Sequence, residues 1–137
     1  MMKEYLNPTS LANWSESFSQ VIVVRTGVTR TIYVSGQVSV DADKNVVGKG
    51  DLALQARVAL NNLSKALACA GATLADVVRL GIFVKDYKPD KAGVISSSLR
   101  KIFPHDRMPT STWLGVSSLA LDEALIEIDA LAVVDAQ

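Results

Sequence analysis

The sequence predicts an α+β domain in which two helices pack on one face of a single mixed sheet. Two β-rich runs, residues 18–24 and 31–40, flank a short loop that contains glycine, a pattern typical of a hairpin. The stretch from Asp51 to Ala70 repeats apolar residues at helical spacing. Further β-rich runs follow this helix and a second one, which predicts the order ββαβαββ.

The first half of the chain predicts an arm, the hairpin and the longer helix. Residues 1–16 are polar and mixed, so we expect an irregular N-terminal arm before a domain that spans residues 17–137. Gly27-Val28-Thr29 supplies the hairpin turn. Asp51 suits a helix N-terminus and Gly71 a left-handed C-terminal cap. The predicted buried stripe of this helix consists of Leu52, Ala56, Ala59, Leu63, Leu67 and Ala70.

The second half predicts three strands and one helix. Residues 77–84 predict a strand with Val78, Leu80, Ile82 and Val84 on one face. Pro89 suits the first turn of the second helix, although Ser96-Ser97-Ser98 is a poor helix interior. Residues 110–116 and 125–134 predict the last two strands. Strand alternation places Glu127 and Asp129 together, on the face opposite Ile128.

Composition narrows the classes of function. The 137 residues carry 14 basic and 14 acidic side chains, a balance that argues against a broad nucleic-acid or anionic-membrane surface. Cys69 is the only cysteine and His105 the only histidine, so neither an intrachain disulfide nor a zinc site is expected. The first residues lack a signal-peptide pattern, and no run reaches the roughly 18–20 apolar residues of a membrane span. We therefore expect a soluble cytoplasmic protein.

Tyr33-Val34-Ser35-Gly36-Gln37-Val38 is the most informative motif. A hydroxyl, a glycine and an amide interrupt a strand that otherwise looks buried. Glycine weakens a strand interior unless something must approach the backbone closely. The motif predicts a strand that opens onto a pocket, and the alternative is an irregularity that only admits a neighbouring side chain.

Short motifs follow one another along residues 17–134, namely Phe18-Ser19-Gln20, Tyr33 to Val38, Gln55, Asn61-Asn62-Leu63, Ala70 to Val78, Phe83 to Asp86 and Glu127 to Ala132. This ordered set resembles the Rid/YjgF family of reactive-intermediate deaminases, many of which are labelled endoribonuclease L-PSP. The resemblance implies a chorismate-mutase-like fold and a homotrimer with three clefts between subunits. It also implies release of ammonia from small enamines or imines without a metal or an organic cofactor.

Four positions of this chain correspond to residues in one wall of the family's cleft, and a fifth corresponds to a residue in the family's second helix. Ser35 and Gly36 match the pocket strand, and Glu127 matches the glutamate that assists proton transfer. Phe18 stands where the family has a tyrosine, so the hydroxyl is missing. Ser96 falls near the asparagine expected in the second helix. Without the resemblance, Glu127 could equally be a solvated residue or half of an interface ion pair.

The opposite wall departs from the family. Ser111, in Pro109-Thr110-Ser111-Thr112, stands where an arginine would hold the substrate carboxylate by a bidentate pair. Trp113 replaces a residue that is usually small and would fill volume in the cleft. Arg107, four residues before Ser111, could replace the lost cation, although a solvated loop charge is the plainer interpretation.

Three hypotheses of function follow from these residues. The first is a divergent deaminase or related hydrolase that acts on a small imine or enamine. The second is a trimer that binds a small apolar or aromatic metabolite without turnover. The third, a ribonuclease, is disfavoured by the neutral charge, the single histidine and the few aromatic residues.

Overall fold

A six-stranded sheet with two helices on one face forms the body of the protein, in a computed structural model that describes residues 2–136. This confirms the predicted α+β class. Short 3₁₀ turns occupy residues 74–76, 89–91 and 105–107. The main elements are β1 (Met2–Leu6), β2 (Val21–Thr26), β3 (Thr29–Val38), α1 (Leu52–Cys69), β4 (Val77–Lys85), α2 (Ala92–Arg100), β5 (Thr110–Val116) and β6 (Ile126–Asp135).

The sheet has the strand order β1-β2-β3-β6-β4-β5. Only β4 and β5 run parallel, and every other neighbouring pair is antiparallel. The last strand therefore lies near the centre of the sheet, between β3 and β4. This order brings the Ser-Gly-Gln motif of β3 beside Glu127 of β6, and it leaves β5 at one edge.

The predicted irregular arm is wrong for its first residues. Met2–Leu6 pairs antiparallel with β2, from Met2 opposite Arg25 to Leu6 opposite Val21, and extends the order to βββαβαββ. The side chains of residues 2–5 are exposed, so no pattern of burial marked the strand in the sequence. Residues 7–16 contain turns but no helix or strand.

Helix α1 supplies most of the contacts that cover the sheet. It begins directly after Asp51, as predicted, and the Asp51 carboxylate also caps it by accepting a hydrogen bond of 3.0 Å from the Leu54 amide. Gly71 adopts a left-handed conformation after its last turn. Most of the predicted stripe is buried, together with two polar side chains outside it, Gln55 and Asn62.

Those two buried amides hold the loops around the sheet. Asn62 Nδ2 donates to the carbonyl oxygens of Val38 and Val40, which fixes the end of β3. Gln55 Nε2 donates to Glu123 O, and its Oε1 accepts from the Leu125 amide just before β6. Because both strands meet at the Ser-Gly-Gln motif, α1 helps to set the position of that motif.

Two further predictions need adjustment. The register between β4 and β6 shifts between Val77 and Arg79, so Val77 is buried and Val78 is 45% exposed, against the predicted alternation. Pro89 begins a 3₁₀ turn, and the α-helix proper starts only at Ala92. The serine triplet is nevertheless helical, with the Ser98 hydroxyl bonded to the carbonyl of Val94.

The sheet face opposite the helices is uncovered in the single chain. Large apolar side chains on it remain open to solvent, including Tyr33 (48% exposed), Leu114 (50%) and Val133 (39%). Several large apolar side chains exposed on one face are a common sign of a contact surface. Among residues 2–136, no helix combines the length and the apolar character needed to cross a bilayer.

Candidate functional site

The Ser-Gly-Gln motif forms a bulge in β3. Val34 pairs with Ala130 and Gln37 pairs with Ile128, so Ser35 and Gly36 together oppose a single residue of β6. The Ser35 amide donates to Gln20 O at 2.9 Å, and its hydroxyl donates to Ser19 O at 2.6 Å. The predicted irregularity is confirmed, and its backbone turns toward the segment that precedes β2.

Two buried glutamines brace the bulge from the side of the core. Gln37 Nε2 donates to Gln20 Oε1 at 2.7 Å and to Ser35 O at 3.0 Å. Gln20 Nε2 in turn donates to Ala12 O at 3.3 Å. Buried polar groups that are bonded in this way resist displacement, because breaking one bond leaves a partner unsatisfied. The geometry at Ser35 and Gly36 is thus fixed before any ligand arrives.

Glu127 lies directly beside the bulge on the uncovered face of the sheet. A Cβ atom at position 36 would lie only 2.6 Å from Glu127 Cδ and 2.7 Å from its Oε2, so the missing side chain of Gly36 creates the space that the carboxyl group fills. Burial raises the pKa of Glu127, and the nearby charge of Asp129 raises that pKa further. A carboxyl group that keeps its proton to higher pH is suited to donate it as a general acid.

Asp129 occupies the next outward position of β6 and has a different environment. Its Oδ1 lies 3.7 Å from a guanidinium nitrogen of Arg79, in a pair whose side chains are 36% and 52% exposed. That oxygen is itself buried and makes no hydrogen bond to the described residues. Gly81 leaves the space for Asp129, since a Cβ there would collide with the same oxygen. Arg79 therefore offsets the charge of Asp129, while no ion pair within residues 2–136 includes Glu127.

Phe18 stands next to the bulge as part of an aromatic pair. Its ring stacks on Trp14, with centroids 6.5 Å apart and an interplanar angle of 20°, and it remains 42% exposed. Lys44 Nζ lies 4.4 Å from the centroid of the Trp14 ring. Trp14 and Lys44 are not among the residues predicted from the sequence. The four-residue spacing of Trp14 and Phe18 was the available signal for the stack, whereas nothing in the sequence pointed to Lys44.

Ser111 and Trp113 lie on the other side of the sheet. They pair in register with Leu80 and Ile82, whose side chains point into the core beneath the helices. Trp113 packs against that core, and its Nε1 donates to the Ser111 hydroxyl at 3.0 Å. This pair therefore lies on the helix side of the sheet, close to the edge that β5 forms, and on the opposite side from Glu127.

The remaining predicted residues belong to the segments that lead into β5. Ser96 is half-buried in α2, and Arg107 is exposed in the 3₁₀ turn that precedes the strand. Among the described residues, the Arg107 guanidinium has no hydrogen bond or ion pair. The structure thus gathers Phe18, Ser35, Gly36 and Glu127 around the bulge, and it leaves Ser96, Arg107, Ser111 and Trp113 outside that group.

One concave surface lies away from the bulge and contains none of these residues. It is a groove of about 790 Å³ between α1 and α2, with Leu54, Arg57, Val94 and Lys101 among its lining residues. Within residues 2–136, no group of three or more histidine, cysteine, aspartate or glutamate side chains could hold a metal ion. The bulge with Glu127 is therefore the better chemical candidate.

Comparison with known proteins gives a consistent result. The family described as endoribonuclease L-PSP matches residues 9–134. A RutC family protein of Sulfurisphaera tokodaii is 37% identical over 111 residues, which cover 81% of this chain and 82% of the relative. A 2-iminobutanoate/2-iminopropanoate deaminase of Rattus norvegicus is 31% identical over 117 residues, covering 85% and 80%.

Solved structures with the same fold cover nearly the whole chain. YyfA of Yersinia pestis, a protein of unknown function in the Rid family, superimposes with a TM-score of 0.84 at 25% identity, over 97% of this chain and 100% of that one. YyfB of the same organism and family gives a TM-score of 0.73 at 33% identity, covering 98% and 100%.

Proposed function

Because the chain belongs to the endoribonuclease L-PSP family, also called Rid/YjgF, we propose that it binds small imines or enamines in clefts between subunits and hydrolyses them to ammonia. An enamine first becomes the imine by gaining a proton on carbon and losing one from nitrogen. Water then adds across the C=N bond, the C–N bond breaks, and a carbonyl compound and ammonia leave. The proton that nitrogen gains must come from a nearby acid, and the water must lose one. No redox partner is needed.

The Glu127 carboxyl group is the observation that carries this proposal. It lies against the fixed bulge, and its pKa is raised by burial, so a protonated carboxyl group persists to higher pH beside a rigid backbone. In our account Glu127 donates its proton to the departing nitrogen and regains one from the added water. Ser35 and Gly36 form the wall against which the substrate lies.

The positions of the predicted residues favour a site completed by a second chain. Glu127 and Ser111 face opposite sides of the sheet, with β4 between their strands. A neighbouring copy that covers the apolar outer face could bring its β5 edge to the bulge. We therefore propose a homotrimer with three such clefts, as the resemblance implies.

The loss of the family arginine favours one alternative. The hydroxyl of Ser111 bonds to Trp113 and offers no charge for a carboxylate, and Phe18 lacks the tyrosine hydroxyl. Losing a charge-assisted hydrogen bond weakens binding by about 1.5–3 kcal/mol. The alternative function is a trimer that holds a neutral or aromatic metabolite without turnover. Arg107 remains our candidate for a replacement cation.

Ammonia release from 2-iminopropanoate generated in situ separates the two functions. A hydrolase should exceed the uncatalysed rate, and Glu127→Gln should lower kcat/KM by about 100-fold, since general acid–base catalysis contributes roughly 10²–10⁴-fold. Rates equal to the uncatalysed control, for this imine and for an aromatic one, would leave only the binding alternative. Arg107→Ala should raise KM if Arg107 holds the carboxylate.

We place the protein in the cytoplasm, with a small metabolite and two further copies of itself as partners. The formal charge of zero supports the absence of a nucleic-acid or membrane partner. Retention on a heparin column at 0.15 M salt would count against that part of the proposal.

A further inference from the structure

We propose that Trp14, Phe18 and Lys44 form a recognition wall that selects substrates with a flat, unsaturated side chain and a carboxylate. This wall extends the bulge, because Phe18 directly precedes Ser19, whose carbonyl accepts the Ser35 hydroxyl. The inference rests on the proposed cleft and names its substrate class, namely 2-imino acids with aromatic side chains.

The aromatic pair offers a preformed surface. The rings of Trp14 and Phe18 are within 20° of parallel, and the Phe18 amide also donates to Trp14 O at 3.1 Å, so the backbone and the rings hold each other in place. Phe18 remains 42% exposed, so part of its ring surface is open to a ligand. An aromatic ring that lies offset on such a surface gains about 0.5–1.5 kcal/mol beyond its burial.

Lys44 supplies a cation over the ring of Trp14. It lies at the tip of a loop with a φ of 69°, and that loop is fixed because the Asp41 carboxylate accepts 2.9 Å bonds from the amides of Asp43 and Asn45. Within residues 2–136, the Lys44 ammonium forms no ion pair. Only the Trp14 ring holds it, at 4.4 Å.

A lysine held in this way is available to an anion. An exposed cation–π contact is worth about 0.5–1 kcal/mol, so a ligand carboxylate can draw the ammonium away without breaking a stronger bond. Trp14 and Phe18 would then hold the flat part of the same ligand. Together they give the cleft a charge and a shape preference that Ser111 on the other wall does not provide.

The test uses two stable carboxylates, 3-phenylpropanoate and propanoate, titrated calorimetrically into the intact oligomer. The wild type should bind the aromatic acid at least tenfold more tightly. Trp14→Leu should reduce that preference about fivefold and Trp14→Phe should restore most of it, since one aromatic contact is worth roughly 0.5–1.5 kcal/mol. Lys44→Ala should weaken both acids by a similar factor, while Lys65→Ala, at an exposed position of α1, should change neither.

Parallel assays with the two corresponding imines distinguish this inference from the proposed function. Discrimination between the acids without ammonia release would refute the hydrolase and support the wall. Ammonia release at equal kcat/KM for both imines, unchanged in Trp14→Leu and Lys44→Ala, would refute the wall alone. Binding of neither acid would also refute it. Thermal melts of each variant establish that it is folded, and Trp14→Phe provides a conservative substitute if Trp14→Leu is not.

Discussion

Gly36→Ala is the substitution that most sharply tests the role of the bulge. The backbone φ angle of Gly36 is not positive, so alanine can adopt the same conformation without strain. The three atoms nearest to the new methyl group all belong to the Glu127 side chain, with Cδ at 2.6 Å and Cγ at 2.8 Å. The expected result is a folded protein whose Glu127 carboxyl group no longer lies against the bulge.

The magnitude follows from those contacts. Glu127 must retreat to the 3.4 Å at which ordinary contact begins, a displacement of about 0.8 Å. A misplacement near 1 Å can lower a rate by about 100-fold, so kcat/KM for ammonia release should fall by about 10- to 100-fold. Stability should change little, because an off-rotamer side chain costs about 0.5–1.5 kcal/mol and the reduced freedom of the unfolded chain returns about 0.4–1 kcal/mol.

The assay is ammonia release together with urea denaturation. Gly93→Ala is the matched control, since a Cβ there has nothing within 4 Å, and it should retain full activity. Wild-type activity in Gly36→Ala would refute the placement of Glu127. A loss of more than about 3 kcal/mol in the free energy of unfolding would instead show that the glycine serves the fold.

Three further outcomes can be measured. The raised pKa of Glu127 means that its contribution to stability is fully present below its ordinary value of 4.5 and is lost as the pH rises through the raised pKa. Gln does not ionise, so Glu127→Gln should become more stable relative to the wild type as the pH rises above 4.5. A difference in the free energy of unfolding between the two proteins that does not change with pH would count against the raised pKa. Gln37→Leu should lower the free energy of unfolding by about 1–3 kcal/mol because it leaves Gln20 and Ser35 O unsatisfied, and a loss below about 0.5 kcal/mol would show that the bracing is weak. Val133→Glu should dissociate the oligomer to a light-scattering mass near 14.7 kDa, whereas Val28→Glu, in a hairpin turn, should leave it assembled; an unchanged mass for Val133→Glu would disprove the outer-face contact.

Most of the fold was predictable because short stretches of sequence mark where its helices and strands begin and end. The α1 boundaries follow from Asp51 and Gly71, and the predicted bounds of β5 agree with the structure. The strand at residues 2–6 escaped prediction because it is held by pairing with β2 and buries almost no side chain. Val78 was misplaced because a bulge breaks the two-residue alternation, and sequence alone does not reveal the shift.

The site was less predictable than the fold. The bulge and Glu127 could be found because both lie in short motifs whose residues stay adjacent in the sheet. The wall formed by Trp14 and Lys44 could not, since it joins two loops 30 positions apart that carry no periodic pattern. Nor could the sequence show that Ser111 faces the opposite side of the sheet from Glu127, because that depends on the parallel register of β4 and β5.

Mixing two inactive variants tests most directly whether the cleft is shared between chains. Glu127→Gln lacks the acid, and Ser111→Trp should block the opposite wall. After the two chains are unfolded together in equal amounts and refolded, about one cleft in four of a cyclic trimer should combine an intact Glu127 with an intact Ser111. We predict recovery of about a quarter of the wild-type ammonia release. A mixture no more active than the two variants refolded separately would contradict a shared cleft.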